Sequence, residues 1–508
     1  MAGARGDGQP QVEGVQGVKV YFVSDVEGDY EYWRTCVGAC KGLVLPEWLP
    51  HVSADASGVH LAPDSHFVFG GDVCDKGPGS IRVVHELLSL HDRYPDRVHI
   101  LLGNRDINKL RLTSELASSE LLHKKIDFIP GAYWLKESDR VAPKDFLEKM
   151  VANHLFLSGA AQDQKSDRVR DADTRMNRLK YILDCTMGAV GDFENRREEL
   201  RRLELASHEA ASVSDEQVVA SYMSSLEEGG FMRQLLFRGK LACIIGDTLF
   251  VHGGVSGSFR KPGSSIGGGT EQQSALGYIP GAVLKRYSAS QAAEWVRDLN
   301  AWKDEQMRAW SDSPMWSGPP NRDAGLRTRG GNDLMDYVVP GTLPSVVLAR
   351  HIDREGNPEP LEPDSALWLK GAGLRRVVCG HTPVGCCPHL SREAHGIELV
   401  CADTSYSNNK RGDRRGEAWG LVTIWPFGDS SLGVRMEGVT HEGKPYKSEV
   451  GAPEKTPLDA CVGRRTRDGR FVKQRMEDGT YLLYRVEGRR TYLYTYETEA
   501  TVLSIMLA

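Results

Sequence analysis

The chain has 508 residues, enough for two or three domains at roughly 100–200 residues each, and its 40% apolar and 26% charged content is that of an ordinary globular protein. A formal net charge of −6, with Lys and Arg scattered along the chain, argues against nucleic-acid or membrane-surface binding as the main activity. Ten cysteines without CxxC spacing exclude zinc-finger and thioredoxin-like readings and leave buried, reduced thiols.

Met1 to Gly17 is rich in Gly and Gln and reads as a disordered tail. From Val18 the chain alternates short apolar runs with amphipathic stretches, the signature of an α/β domain. Lys19 to Val23 is a predicted buried strand followed by Ser24-Asp25-Val26-Glu27-Gly28-Asp29. His66 to Phe69 is a second, ending in Gly70-Gly71-Asp72-Val73-Cys74-Asp75-Lys76-Gly77. Apolar residues at Ile81, Val84, Leu87 and Leu88 then mark a helix. Val98 to Leu102 is a third strand, and Gly103-Asn104-Arg105-Asp106 follows it.

Residues 113–240 are charged and predicted to be mainly helical, most clearly over Arg175 to Leu205, forming an insertion that packs on the core or offers a lid or partner surface. Strands resume at Leu241 to Ile245 and Thr248 to Val251, leading into His252-Gly253-Gly254. Lys261 to Thr270 and Met315 to Asn332 read as loops. Arg376 to Cys379 ends in Gly380-His381-Thr382-Pro383, and Glu398 to Ala402 ends in Asp403. Beyond Pro426 the texture becomes strands with turns at Asp468-Gly469 and Asp478-Gly479, and Gly469 to Leu507 reads as a small antiparallel sheet. No run of about 18 apolar residues occurs, so no membrane span is expected, and the absence of targeting signals makes the cytoplasm the expected location.

Singly, an Asp or His beside Gly after a strand is a turn or a cap. Together, Asp25-x-Glu27, Asp72-x-x-Asp75, Asn104-x-Asp106, His252 and His381 place carboxylates, an amide and imidazoles at strand ends. Two divalent ions about 3.5–4 Å apart need such donors and a shared carboxylate, and the mixture suits Mn, Fe or Zn.

The ordered set GDVCDKG, RYPDRVHILLGNRD, VHGGV and VVCGHTP resembles the calcineurin-like metallophosphoesterase family in its phosphoprotein-phosphatase-like branch. The GHTP form is more similar to the Shewanella-like and bacterial-type relatives than to the animal serine/threonine phosphatases. The resemblance covers Val18 to about Phe427 and implies an α/β fold with two mixed β-sheets packed face to face and helices outside. Residues 428–508 would then be a small C-terminal β-rich module.

Position by position, the resemblance implies that Asp25 and Glu27 hold a first metal ion, that Asp72 bridges both, and that Asn104, His252 and His381 hold the second. Mn2+ is the expected metal, with Fe, Zn or Mg also compatible. Lys76 stands where the family has a phosphoryl-binding Arg, and Arg329 weakly resembles another. Two departures stand out: Glu27 and Arg105 both replace family histidines. A carboxylate at 27 favours harder ions. Arg105 would pair with Asp75 and, lacking a transferable proton near neutrality, would stabilise a departing oxyanion by charge alone.

The implied activity is hydrolysis of phosphomonoesters or phosphoanhydrides by in-line attack of a metal-bridging hydroxide. Phosphoproteins, nucleotides and polyphosphates are all candidate substrates. A pseudophosphatase that binds without turnover is the alternative that Glu27 and Arg105 raise, and protein partners for the insertion or the C-terminal module form a third reading.

Overall fold

The computed structural model describes residues 18–44, 58–123, 126, 129, 131–132, 134–158, 165–206, 212–255, 274–281, 285–318, 327–340, 343–353, 355–404, 418–425, 433–451, 461–488 and 491–507. The expected tail at 1–17, the loop at 261–270 and the boundary at 427/428 lie outside them.

Two mixed sheets form the centre. The six-stranded sheet has the spatial order Pro445–Val450, Val434–Val439, Trp419–Ile424, Lys19–Val23, Ser65–Phe69, Val98–Ile100. Its last three strands run parallel, and the others join antiparallel. The five-stranded sheet has the order His389–Ala394, Ile397–Cys401, Arg376–Cys379, Thr248–Val251, Ala242–Ile245, with the middle three parallel.

Period-2 alternation divides the side chains between two cores. Val20, Phe22, Phe250, Val378 and Val400 fill the space between the sheets, where the rings of Phe22 and Phe250 lie 6.0 Å apart. Tyr21, Val23, Val377 and Leu399 point the other way, into the helix-covered cores. Burial on both faces explains why these strands read as continuous apolar runs. The expected fold class, two mixed sheets face to face with flanking helices, is the one observed.

The segment after Pro426 is woven into this frame. Val434–Val439 and Pro445–Val450 extend the six-stranded sheet, and Phe471–Arg475, Tyr481–Val486 and Tyr492–Glu497 form a three-stranded sheet whose Val472, Leu482 and Leu483 share the inter-sheet core. The strand expected to reach Leu507 stops at Glu497, and Glu499–Leu507 is a helix. The Thr498 hydroxyl accepts a bond from Thr501 N, capping it, while Val502 is buried in the same core. Tertiary packing overrides the β propensity of the Thr and Val residues there.

The described part of residues 113–240 is mainly helical. The stretch read as one helix from Arg175 is broken: Arg175–Tyr181 passes into a π-turn at Ile182–Thr186, and Asp192–Ala206 begins a new helix after Gly188 and Gly191 adopt φ of 66° and 80°. Among the described residues, no helix is long and apolar enough to cross a membrane.

Two buried polar features bear on stability. Fully buried Arg376 donates to Glu398 Oε2 from Nε at 2.9 Å and Nη2 at 2.6 Å, and to Thr248 Oγ1 at 3.2 Å, across the two neighbouring strands it pairs with. His99 stacks on His66 with ring centroids 5.7 Å apart. Burial first, then the charge of Lys240, pushes His99 down to about 3.

With that pKa depressed below the unfolded value near 6.5, the unfolded chain binds a proton that the folded chain refuses. The stability this group protects is complete above about pH 6.5 and lost as pH falls toward its folded pKa. Lowering pH from 7 to 5 is expected to cost about 2 kcal/mol through His99 alone. Denaturant midpoints should show a flatter acid slope in a His99→Gln variant, and an unchanged slope would contradict the assignment.

Candidate metal centre

The parallel strands of both sheets end on one side, and their loops carry the site. Asp25, Glu27, Asp72, Asp75 and His381 sit in the left-handed region, with φ of 53°, 47°, 54°, 109° and 65°. Such backbone costs on the order of 1–3 kcal/mol per residue and persists only where the surroundings fix it. Here the loops fix one another. Asp25 N donates to Gly71 O at 3.0 Å, Glu27 N to Asp72 O at 3.0 Å, and Lys76 N to Glu27 O at 2.7 Å. Asp106, in the third motif but given no role from the sequence, accepts from Asp72 N, Val73 N and Gly103 N at 2.9, 3.0 and 2.8 Å. A Cβ at Gly103 would collide with the Asp72 carboxylate, and one at Gly380 with Ser24 and Asp25, so both positions need glycine.

Two donor clusters share Asp72: Asp25, Glu27 and Asp72 in one, Asp72, His252 and His381 in the other, with donor atoms in each within 4.8 Å of one another. Asn104, at the start of the short helix Asn104–Asn108, has a buried Oδ1 with no hydrogen-bond partner. The buried Nε2 of His252 and both ring nitrogens of His381 also lack one. Buried polar atoms are normally bonded, so these nitrogens and the amide oxygen are candidate donors to a metal ion. His252 Nδ1 lies 2.7 Å from Gly70 O, which fixes the proton on Nδ1 and leaves Nε2 turned to Asp72 Oδ2 at 3.4 Å. That N···O spacing suits two donors sharing one ion.

The electrostatics separate the two histidines. Burial holds His381 well below its usual pKa, with Arg350 and His252 adding to the effect, so its ring is neutral and able to ligate. For His252 burial acts against the charged form, but the Asp72 carboxylate prevails and pushes it up to about 10. A cation entering there would therefore release a proton. Burial raises Asp25 well above the carboxylate range, and Asp403, Asp72 and Glu27 add to the rise by repulsion. Asp403 follows the strand Ile397–Cys401 and is itself buried.

Arg105 lies against two of the three carboxylates of the first cluster. Its Nε lies 2.9 Å from Glu27 Oε1 and 3.5 Å from Asp72 Oδ2, and its backbone N donates to Asp72 Oδ1 at 2.9 Å. The expected pairing with Asp75 exists only as a longer contact, Nη1 to Oδ2 at 3.8 Å. Lys109 is the close partner of Asp75, and sequence reasoning missed it. Its signal was the i+4 spacing from Arg105, one turn along the same helix start. Lys76 Nζ is 3.3 Å from Glu27 Oε2.

The insertion also reaches the site. Arg105 Nη1 donates to Gly188 O at 3.0 Å, within the break that follows the π-turn. Glu199 accepts from Ile81 N and Arg82 N at 3.0 and 3.1 Å, capping helix Ser80–Arg93 just after the Asp72–Asp75 loop. Buried Asp192, bonded to Tyr222 Oη at 2.5 Å, is raised to about 6 by burial and then by Asp75.

Arg329 is placed elsewhere. It donates to Ser114 Oγ at 2.5 Å, pairs with Glu115 at 3.7 Å and lies 4.2 Å over the Trp316 ring. There it lines a cavity of about 510 Å³ with Arg111, Glu115, Trp134, Arg178 and Trp316, and none of the six expected metal ligands lines that cavity.

No protein-family model matches the chain. Among solved structures it is similar to a cold-active protein-tyrosine phosphatase of a psychrophilic Shewanella species, at 15% identity and a TM-score of 0.35, covering 85% of this chain and 81% of that one. It is also similar to a protein serine/threonine phosphatase from Saccharomyces cerevisiae, at 13% identity and a TM-score of 0.32, covering 82% of this chain and 79% of that one. Both similarities are weak, and the chemistry of the site stands on its own residues.

Proposed function

We propose that the chain is a metal-dependent hydrolase of phosphomonoesters or phosphoanhydrides. The observation that carries this reading is the convergence of the buried, unbonded ring nitrogens of His252 and His381 with Asp72, the residue that also faces Arg105. Asp72, Asn104, His252 and His381 would hold a divalent ion, Mn2+ being our choice for a mixed oxygen and nitrogen set. When bound, such an ion supplies Lewis-acid charge to a phosphoryl oxygen and makes the attacking water more acidic.

The remaining work falls to side chains already in place. Glu27 holds Arg105 and Lys76 at the site, and both present positive charge to an incoming phosphoryl group. Asp75, tied to Lys109, adds a second carboxylate that orients the far end of the guanidinium. Arg105 keeps its proton near neutrality, so it stabilises the leaving oxygen by charge without protonating it. Good leaving groups need only that.

General acid assistance is worth about 10²–10⁴-fold. A nucleotide anhydride or an aryl phosphate is therefore expected to exceed a phosphoserine peptide in kcat/KM by at least about a hundredfold. Phosphate release from each, with Mn2+ under matched conditions, checks this. Equal rates for the peptide and the anhydride would refute the leaving-group argument, and absence of turnover on all three would leave a binding protein in its place.

A further inference from the structure

We infer that the chain takes one resident divalent ion, not two, and that the Arg105 guanidinium, seconded by Lys76, stands in the first cluster where a second ion would otherwise be held. This rests on the hydrolase reading above and departs from the two-ion arrangement that the sequence resemblance implies.

The two clusters differ in how their donors are used. In the second, His252 Nε2 and both nitrogens of His381 are buried without hydrogen-bond partners. In the first, the donors are engaged. Glu27 Oε1 is 2.9 Å from Arg105 Nε and Oε2 is 3.3 Å from Lys76 Nζ. Both oxygens of Asp25 receive the backbone N–H of His381, at 3.1 and 3.0 Å, and Oδ2 also accepts from Ser24. Asp72 Oδ2, the oxygen both clusters would share, already lies 3.5 Å from the guanidinium.

A dication among these carboxylates would have to displace two cationic side chains from Glu27 or sit against them. Arg105 has little room to withdraw. Its side chain is only 13% exposed, its backbone is anchored to Asp72 Oδ1, and its far nitrogen is bonded to Gly188 O. A guanidinium is permanently charged and its planar fork can face several carboxylates at once, so it supplies fixed charge where an ion would supply exchangeable charge. The second cluster keeps two imidazoles beside Asp72.

The test is metal counting on the full-length protein. Apoprotein is loaded with Mn2+, freed of excess by gel filtration, and examined by elemental analysis and electron paramagnetic resonance. One Mn2+ per chain with the six-line signal of an isolated ion is expected. A Glu27→His/Arg105→His double variant, which removes both the guanidinium and its anchor, is expected to take two ions with an exchange-coupled signal.

Two coupled ions in the wild type would overturn the inference while leaving the hydrolase reading intact. No bound ion would overturn both. A folded double variant that still takes one ion would show that Arg105 is not what limits the count, and the inference would fall.

Discussion

An Asp72→Asn variant is expected to release phosphate from an aryl phosphate on the order of a thousandfold more slowly than the wild type, the scale of losing a central electrostatic element. Asp72 is the residue common to both donor clusters. Its carboxylate accepts from the backbone of Arg105, faces the Arg105 guanidinium and faces His252 Nε2. Burial favours its neutral form, yet the positive groups around it, His252 foremost, hold it well below the carboxylate range. An amide cannot carry that charge, and its NH2 group would point a donor at a guanidinium or an imidazole. Mn2+ retention should fall with activity. A thermal melt on the same preparation separates lost chemistry from lost fold, and a variant keeping more than about a tenth of the activity would contradict the central role of Asp72.

Much of this centre was legible in the sequence because it is built from strand ends. A buried strand writes an apolar run, and the loop that follows writes Gly beside a polar residue, so the loops carrying Asp25, Asp72, Asn104, His252 and His381 could be read off in order. Pairing between side chains has no such signature. Nothing in the spacing of Glu27 and Arg105 announces that they meet at 2.9 Å, because their loops are brought together by parallel strand pairing. Lys109 was hidden as one lysine among many, and it is its contact with Asp75 that singles it out. The addition of Val434–Val439 and Pro445–Val450 to the larger sheet was equally silent, since a hairpin has the same alternation whether it stands alone or extends another sheet.

Removing one partner of the buried Arg376–Glu398 pair should have the largest effect on stability. A Glu398→Ala variant leaves a fully buried guanidinium with Thr248 Oγ1 and a longer contact to Asp247 at 3.7 Å. The expected cost is about 3–5 kcal/mol, because the charge loses its close counterion and stays out of water. Replacing both residues, as Arg376→Met with Glu398→Leu, should recover most of that loss, since the desolvated charge disappears with its partner. Denaturant unfolding at neutral pH measures both. A double variant as unstable as the single one would show that the pair fixes the strand register and does more than neutralise a charge.

The strand order of the larger sheet has a consequence for how the chain is made. Lys19–Val23 pairs on one side with Ser65–Phe69, which follows soon after it, and on the other with Trp419–Ile424, near the end of the chain. The bond from His381 N to Asp25 spans 356 residues. At about 5–20 residues per second, roughly 20–70 s of translation separate the emergence of the two groups. Until Trp419–Ile424 has also emerged, Lys19–Val23 lacks that neighbour, and an uncovered strand edge is a template for pairing with other chains. The acidic half of the site emerges from the ribosome long before its histidines, so a chain released early holds the carboxylates but cannot assemble the centre.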